Sequence, residues 1–291
     1  MKRGSTVALI TPMTSTGDID TGTLRALLQF HIEQGTTNLC ILGTTGEASL
    51  MDMREREMVL KIAVEECKGK LPILVGTGTI NPNSVKAMTQ QAIDCGCDAS
   101  LLVSPYYVKP PQRGLIKHVL TMADMGLPVI MYNIAGRTAV DFLDENMAIC
   151  AQHENVVGVK DATGNLARVD NMRRLVGDDF LLYSGDDATS LDFVQRGGDG
   201  CISVTANVAP KAMADCMKAA IEGRHAEAQK FNAPLNLLHE KLFVESNPIP
   251  CKWAAMKMGL IPTPYCRPPL DVMDPKFESD VTRALQAAGL L

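Results

Sequence analysis

The chain has 291 residues, of which 46% are hydrophobic and 21% are charged, the balance of a soluble globular protein. A net charge of −5 excludes a basic surface for nucleic acid or anionic membranes, and no apolar run approaches the roughly 18 residues of a membrane span. The nine scattered cysteines and an N-terminal apolar stretch too short for a signal peptide predict reduced thiols in a cytoplasmic protein.

Short runs rich in Val, Ile and Leu recur along the first 204 residues and predict β-strands. They barely alternate between polar and apolar residues, which is typical of strands buried on both faces of a parallel sheet. In chain order they cover residues 6–10, 38–42, 72–76, 99–103, 128–132, 156–160, 180–184 and 200–204. Their spacing leaves room for one crossover helix between successive strands.

The segments between these strands are predicted to be helices. Pro82 opens one of them, where its missing N–H costs little, and Gly35 follows the end of another as a capping residue. The predicted helices cover residues 21–33, 51–67, 82–95, 112–125, 143–152, 166–175, 188–195 and 210–222. Strands and helices that alternate eight times predict an α/β fold of the (β/α)₈ TIM-barrel type.

A doubly wound sheet is the alternative to the barrel. Such a sheet normally carries a G-x-G-x-x-G turn after its first strand, whereas this chain has Thr11-Pro12-Met13 there. Beyond the barrel the pattern becomes purely helical, over residues 226–244, 249–258 and 276–288. We therefore expect a catalytic barrel over residues 1–222 and a helical extension over residues 223–291 that packs on it.

The active site of a (β/α)₈ barrel lies at the carboxyl ends of its strands. Lys160 closes the strongly apolar sixth strand, and a partly desolvated lysine amine can attack a ketone to form a Schiff base. Tyr106, Tyr107 and Tyr132 lie at predicted strand ends of the same face, where a phenol can relay protons. Taken singly, Lys160 could equally extend to solvent and each tyrosine could simply pack.

Two further groups fit the recognition of carboxylates. The loop that contains Thr44 and Thr45 lies between two glycines and offers hydroxyls and backbone N–H groups. Arg137 can fork onto a second carboxylate, although a turn and a surface arginine are also ordinary features. Together with the lysine and the phenols, these groups predict a Schiff-base enzyme that acts on an oxo acid. The five histidines show no metal-ligand spacing, so we expect neither a metal nor a nucleotide cofactor.

Motifs along nearly the whole chain occur in the order and at the spacing of one enzyme family. They are Ala8-Leu9-Ile10-Thr11-Pro12-Met13, Gly43-Thr44-Thr45-Gly46-Glu47, Gly76-Thr77-Gly78, Pro105-Tyr106-Tyr107, Tyr132-Asn133, Gly158-Val159-Lys160, Ala162-Thr163-Gly164-Asn165, Ser184-Gly185-Asp186-Asp187, Ser203-Val204-Thr205-Ala206-Asn207 and Asn247-Pro248-Ile249-Pro250. The chain resembles the dihydrodipicolinate synthases, which belong to the Schiff-base aldolase superfamily of N-acetylneuraminate lyase.

The resemblance implies that pyruvate condenses with Lys160 and that the derived enamine attacks aspartate semialdehyde, giving 4-hydroxy-tetrahydrodipicolinate. This is the first committed step of diaminopimelate and lysine biosynthesis. The resemblance also implies a proton relay of Tyr132, Thr44 and Tyr107, in which Tyr107 reaches the active site of a neighbouring subunit. The expected assembly is a homotetramer built as a dimer of dimers.

The resemblance assigns the remaining contacts of the two substrates as well. Thr45 holds the pyruvate carboxylate, the carbonyl group of Ile202 lines the same pocket, and Arg137 binds the carboxylate of the semialdehyde. Related sugar-acid lyases usually lack the Asn-x-x-x-Arg-Thr pattern that this chain keeps from Asn133 to Thr138. Another Schiff-base lyase remains the alternative enzyme, and a non-catalytic barrel that senses an oxo acid is the alternative outside the enzymes.

Many members of this family are inhibited by lysine bound at the tight-dimer interface. At the corresponding places this chain has Met53, Arg56, Ile80 and Ser84, and it keeps only Tyr106. A glutamate that pairs with the ammonium group of the effector is thus replaced by a neutral residue, and the arginine adds a like charge. We therefore predict that lysine inhibits this enzyme weakly or not at all.

Overall fold

The computed structural model describes residues 1–291. Eight parallel strands close into a barrel in which each strand pairs with the next along the chain and the last pairs with the first. The strands are β1 (Gly4–Ala8), β2 (Asn38–Ile41), β3 (Ile73–Gly76), β4 (Ala99–Val103), β5 (Val129–Asn133), β6 (Val156–Asp161), β7 (Leu181–Ser184) and β8 (Gly200–Ser203). The predicted TIM barrel is thereby confirmed.

Helices connect the strands on the outside of the barrel. They are α1 (Thr21–Glu33), α2 (Met53–Cys67), α3 (Pro82–Cys95), α4 (Gln112–Ala123), α5 (Ala135–Thr138), α6 (Asp144–Cys150), α7 (Ala167–Val176), α8 (Ser190–Gln195) and α9 (Pro210–Ile221). Local chemistry sets several of the ends: Asp52 and Glu55 form a reciprocal capping box on α2, and Gly96 ends α3 with φ of 83°. None of the helices is long and apolar enough to cross a bilayer.

The strands carry hydrophobic side chains on both faces, inside the barrel and against the helices. Side chains from alternate strand positions, such as Leu74, Ile130 and Ile202, form a small cluster inside the barrel. The opposite faces of the strands pack against the helices in larger clusters. Closure between β1 and β8 depends on Gly200, because a Cβ there would lie 1.9 Å from the carbonyl oxygen of Gly4.

The helical extension contains α10 (His225–Asn232), α11 (Asn236–Lys241), α12 (Ile249–Lys257) and α13 (Glu278–Ala287). The prediction of one continuous helix over residues 226–244 was wrong, because a 3-10 turn over Ala233–Leu235 separates α10 from α11. Pro234 lies in this turn and has no N–H to donate to the preceding helical turn, which accounts for the break. Residues of the extension share one hydrophobic cluster with the strands and helices of the barrel.

Candidate active site

Lys160 projects from the carboxyl end of β6 into the barrel. In the strand register it lies between Tyr132 on β5 and Tyr183 on β7, so all three side chains share the inner face. The residue is 6% exposed, and its Nζ lies 4.4 Å from the centroid of the Tyr132 ring. The structure therefore brings together the lysine and one of the phenols that the sequence analysis singled out.

Gly185 makes room for this lysine. A Cβ at Gly185 would lie 2.8 Å from Cε of Lys160 and 2.8 Å from Cβ of Ala162, closer than real Cβ contacts allow. The lysine side chain thus packs directly on the backbone that follows β7. The sequence analysis noted this glycine only as part of a motif, since the neighbouring residues in the sequence do not indicate which side chain packs on it.

The loop after β2 is held from two directions. Thr45 is buried, and its Oγ1 accepts a hydrogen bond of 2.9 Å from Nδ2 of Asn247. Two residues on, Glu47 has φ of 58° and forms a fully buried ion pair with Lys252 of α12. Backbone N–H of Arg267 donates to the second oxygen of Glu47 at 2.8 Å. The helical extension therefore fixes the loop that the sequence analysis assigned to carboxylate binding.

Asn247 is a site residue that the sequence analysis did not identify. Besides its bond to Thr45, it accepts a hydrogen bond of 3.4 Å at its backbone oxygen from Nη2 of Arg137. One buried asparagine thus contacts both of the groups that were predicted to bind carboxylates. The only signal in the sequence was its place in the motif Asn247-Pro248-Ile249-Pro250.

A polar cluster outside the barrel supports β5 and β6. Asn133 and Asp161 immediately follow the tyrosine and the lysine of these strands, and Nδ2 of Asn133 donates to Asp161 at 3.2 Å and to Asp141 at 2.7 Å. Arg168 of α7 donates from Nη1 to both oxygens of Asp141, at 2.8 and 2.9 Å. Asp161 therefore has a structural contact that helps to set where the two strand ends lie.

A cavity of about 680 Å³ opens at this face of the barrel. Among the residues predicted to act on the substrates, Thr44, Tyr132 and Arg137 line it. Thr45, Lys160 and Ile202 are buried and do not line it. Lys160 approaches the cavity through its contact with the Tyr132 ring. The cavity is the space in which an oxo acid could meet these groups.

Tyr107 does not join this site within one chain. Its side chain is 86% exposed, its backbone has φ of 69°, and it does not line the cavity. The preceding Tyr106 does line the cavity, and its hydroxyl forms a hydrogen bond of 3.0 Å with Oγ1 of Thr79. The two neighbouring tyrosines therefore point to different surroundings.

The residues aligned with the family's effector site lie along the same cavity, with one exception. Met53, Arg56, Ser84 and Tyr106 line it, whereas Ile80 is 41% exposed and lies off its wall. Arg56 is 2% exposed and donates from Nη2 to the carbonyl oxygen of Gly76 at 2.7 Å. Burial lowers the pKa of its guanidinium to about 10, which leaves it cationic at neutral pH.

Comparison with known proteins agrees with this architecture. Residues 1–288 match the model of the dihydrodipicolinate synthetase family. A 4-hydroxy-tetrahydrodipicolinate synthase of Alcanivorax borkumensis is 46% identical over 292 residues, which cover 100% of this chain and 99% of that protein. The corresponding enzyme of Saccharophagus degradans is 45% identical, with 100% of both chains covered. The crystal structure of the chloride-inhibited dihydrodipicolinate synthase from Acinetobacter baumannii, complexed with pyruvate, superposes with a TM-score of 0.98 at 41% identity and covers 100% of both chains.

Proposed function

The chain belongs to the dihydrodipicolinate synthetase family, and on that premise we propose how its residues carry out the reaction. It is an enzyme with 4-hydroxy-tetrahydrodipicolinate synthase activity, a lyase of diaminopimelate and lysine biosynthesis. Its substrates are pyruvate and aspartate semialdehyde, and Lys160 is the nucleophile. The observation that carries this assignment is the buried amine of Lys160 beside the Tyr132 ring at the carboxyl face.

The reaction begins when the neutral amine of Lys160 adds to the ketone carbon of pyruvate. Loss of water from the carbinolamine gives an imine, and loss of a methyl proton gives the enamine. The enamine carbon forms a bond to the aldehyde carbon of the semialdehyde. The amino group of that substrate then attacks the imine carbon and displaces the lysine, which closes the ring. The imine on Lys160 supplies the electron sink, so no other cofactor enters this scheme.

The surrounding groups divide the remaining work. Tyr132 and Thr44, which line the cavity, move protons during formation and dehydration of the carbinolamine. Thr45 and the carbonyl group of Ile202 hold the pyruvate. Arg137, exposed at the mouth and on the cavity wall, binds the carboxylate of the semialdehyde.

The test of the central assignment is covalent trapping. Borohydride added with pyruvate should reduce the imine and attach the three-carbon acid to Lys160, detectable by mass spectrometry of the peptide. Lys160→Ala should lose both the adduct and the consumption of aspartate semialdehyde. Lys230→Ala, which removes an exposed lysine of α10, should retain both. An adduct on another lysine in active enzyme would refute the assignment.

The second part of the proposal is that Tyr107 acts in the active site of a neighbouring subunit within a homotetramer. Its 86% exposure at the carboxyl face supports this reading. Lys160→Ala and Tyr107→Phe chains, each nearly inactive alone, should regain activity when they assemble together. A mixed dimer then contains one site with the wild-type lysine and the partner's wild-type tyrosine. Mixed assemblies without recovered activity would show that Tyr107 acts within its own chain or not at all.

The third part concerns feedback, where we expect weak inhibition or none by lysine. The buried guanidinium of Arg56 repels a cationic effector. Asp52 also lines the cavity, but its Oδ1 already accepts from the backbone N–H groups of Arg54 and Glu55. Steady-state rates should therefore stay nearly constant up to millimolar lysine. Half-inhibition at micromolar lysine would contradict the expectation.

A further inference from the structure

Strand β6 contains a bulge on the way to Lys160. Between its first two register pairs β6 has one more residue than β5, and the extra residue is Val157. Val157 packs against the cluster inside the barrel, whereas Val159 belongs to a cluster outside it, although strict alternation would place both on one face. Lys160 follows Val159 and therefore points inward only in the shifted register.

Side chains on the outer face hold the register beyond this bulge. Tyr132 on β5 pairs with Lys160, and the next pair along the two strands is Asn133 with Asp161. Neighbouring residues of a strand face opposite ways, so this second pair points out of the barrel, where Nδ2 of Asn133 donates to Oδ2 of Asp161 at 3.2 Å. A slip of one residue would separate the outer pair and turn Lys160 to the outer face.

One guanidinium joins the outer pair to the segments beside it. Arg168 lies in the first turn of α7, and its side chain is 11% exposed. Its Nε lies 3.2 Å from Oδ2 of Asp161, its Nη2 lies 2.6 Å from Oδ1 of Asp144, and its Nη1 donates to both oxygens of Asp141. The three carboxylates come from the end of β6, the first turn of α6 and the segment before α6. None of them has another ion-pair partner.

Three carboxylates around one cation make this cluster sensitive to the loss of the guanidinium. Asp144 and Asp161 are buried, so without Arg168 their charges would repel each other at short range with little water to screen them. Asp161 would then move away from Asn133, and the last pair of the register would open. The planar fork is also specific, because two parallel N–H bonds to Asp141 fix where the arginine lies.

We propose that Arg168 is a positioning residue for imine formation, which holds Asp161 in the register that keeps Lys160 inside the barrel. This role depends on the proposed function of Lys160 as the nucleophile. Arg168 does not line the cavity, so it acts on the reaction only through the end of the strand. Its loss should therefore slow the attack on pyruvate more than the later attack on the semialdehyde, because by then a covalent bond already holds the lysine to its substrate.

The kinetics of the two half-reactions test this role. In Arg168→Ala the rate of borohydride trapping of pyruvate and kcat/KM for pyruvate should each fall by about 100-fold, the effect of a displacement on the order of 1 Å. The value of kcat/KM for aspartate semialdehyde should fall less, whereas a smaller fraction of folded enzyme would lower both ratios equally. Arg174→Ala, which removes an exposed arginine of the same helix, should keep the wild-type values.

Chemical rescue separates the missing cation from a general loss of packing. Guanidinium ion at millimolar concentration should speed trapping in Arg168→Ala and leave Arg174→Ala unchanged, since the ion can return to the place among the carboxylates. If Arg168→Ala does not fold, Arg168→Lys tests the same role, because the ammonium keeps the charge and loses the fork. Its kcat/KM for pyruvate should still lie below that of the wild type.

Two results would overturn the proposal. One is a wild-type rate of trapping in folded Arg168→Ala or in Arg168→Lys. The other is an equal loss of both kcat/KM ratios without rescue by guanidinium ion. Wild-type enzyme that carries no pyruvate on Lys160 after reduction would instead refute the proposed function, and this role with it.

Discussion

Gly185 is the residue on whose backbone the Lys160 side chain packs, and we predict that Gly185→Ala impairs catalysis more than folding. The added methyl would lie 2.8 Å from Cε of Lys160, so the lysine must move. A misplacement on the order of 1 Å can cost about 100-fold in rate. We therefore expect kcat to fall by about that factor while far-UV circular dichroism stays unchanged.

The matched control for this prediction is Gly114→Ala in α4. A Cβ there meets Pro111 at 3.5 Å, an ordinary van der Waals contact, so the rate should stay near that of the wild type. Borohydride trapping adds a second readout, because the displaced lysine should form its pyruvate adduct more slowly. Normal trapping and normal kcat in Gly185→Ala would show that the lysine tolerates the displacement.

His31 carries a prediction about pH. It is fully buried in the last turn of α1, and burial lowers its pKa from 6.5 to about 4. Between these two values the unfolded chain binds a proton that the folded state does not. The contribution of this one group to the free energy of unfolding is therefore fully present above pH 6.5. It falls by roughly 3 kcal/mol as the pH drops towards 4.

Urea unfolding at several pH values measures this loss. His31→Gln cannot take up the proton, so its free energy of unfolding should decline less steeply between pH 6.5 and 4 than that of the wild type. His225→Gln, which replaces an exposed histidine of α10, should keep the wild-type slope. Equal slopes in His31→Gln and the wild type would assign the acid sensitivity to other groups.

At the scale of elements, the hydrophobic pattern of the sequence was enough to predict the strands and most helices, because each element buries one continuous surface. The bounds of α1 and α3 agree with the sequence prediction. The first strand begins at Gly4 rather than residue 6, since its early residues pair with β8, about 200 positions away. The four-residue helix α5 is too short to show a period.

The candidate site could be predicted less completely than the fold, for a related physical reason. Lys160 and Tyr132 could be predicted from the sequence, because an apolar run that ends in a polar side chain is a local pattern. The contacts of Asn247 with Thr45 join residues about 200 positions apart, and no local pattern encodes them. The burial of Arg56 is equally invisible in a helix whose neighbouring residues are charged.

The pair of Glu47 and Lys252 joins two elements, the loop after β2 and helix α12, and both side chains are fully buried. Nζ of Lys252 also donates to the carbonyl oxygen of Tyr265 at 2.8 Å. Removing one partner leaves an uncompensated buried charge, which typically costs about 3–5 kcal/mol. We predict a loss of that size for Lys252→Met, measured by urea unfolding, with a raised KM for pyruvate because the Thr45 loop loosens.

Two further variants separate charge from packing at this pair. Glu47→Gln combined with Lys252→Met removes both charges, so much of the lost stability should return. Lys257→Met removes an exposed lysine from the same helix and should change stability by less than about 0.5 kcal/mol. A double variant as unstable as Lys252→Met alone would show that the lost volume, and not the unpaired charge, is the cause.

At the scale of the whole molecule, we propose that the barrel (residues 1–222) and the extension (residues 223–291) unfold together although they differ in architecture. One hydrophobic cluster of 47 buried residues runs from the strands through α9 to α13, so neither part has a core of its own at their junction. Polar contacts cross the same junction, including that between Oγ1 of Thr205 and Nδ1 of His239, at 2.9 Å. Separating the two parts would therefore expose apolar surface and leave polar groups without their hydrogen-bond partners.

The single tryptophan, Trp253 in α12, makes this cooperativity measurable, since its fluorescence reports on the extension and far-UV circular dichroism reports mainly on the barrel. At a fixed protein concentration, both signals should follow one urea transition. Leu39→Ala in β2 and Leu238→Ala in α11 each empty a fully buried position, which typically costs about 2–5 kcal/mol. If the parts are one unit, each substitution shifts both signals by the same amount, wherever it lies. If the extension can detach, Leu238→Ala moves the fluorescence transition to lower urea and leaves the dichroism transition behind.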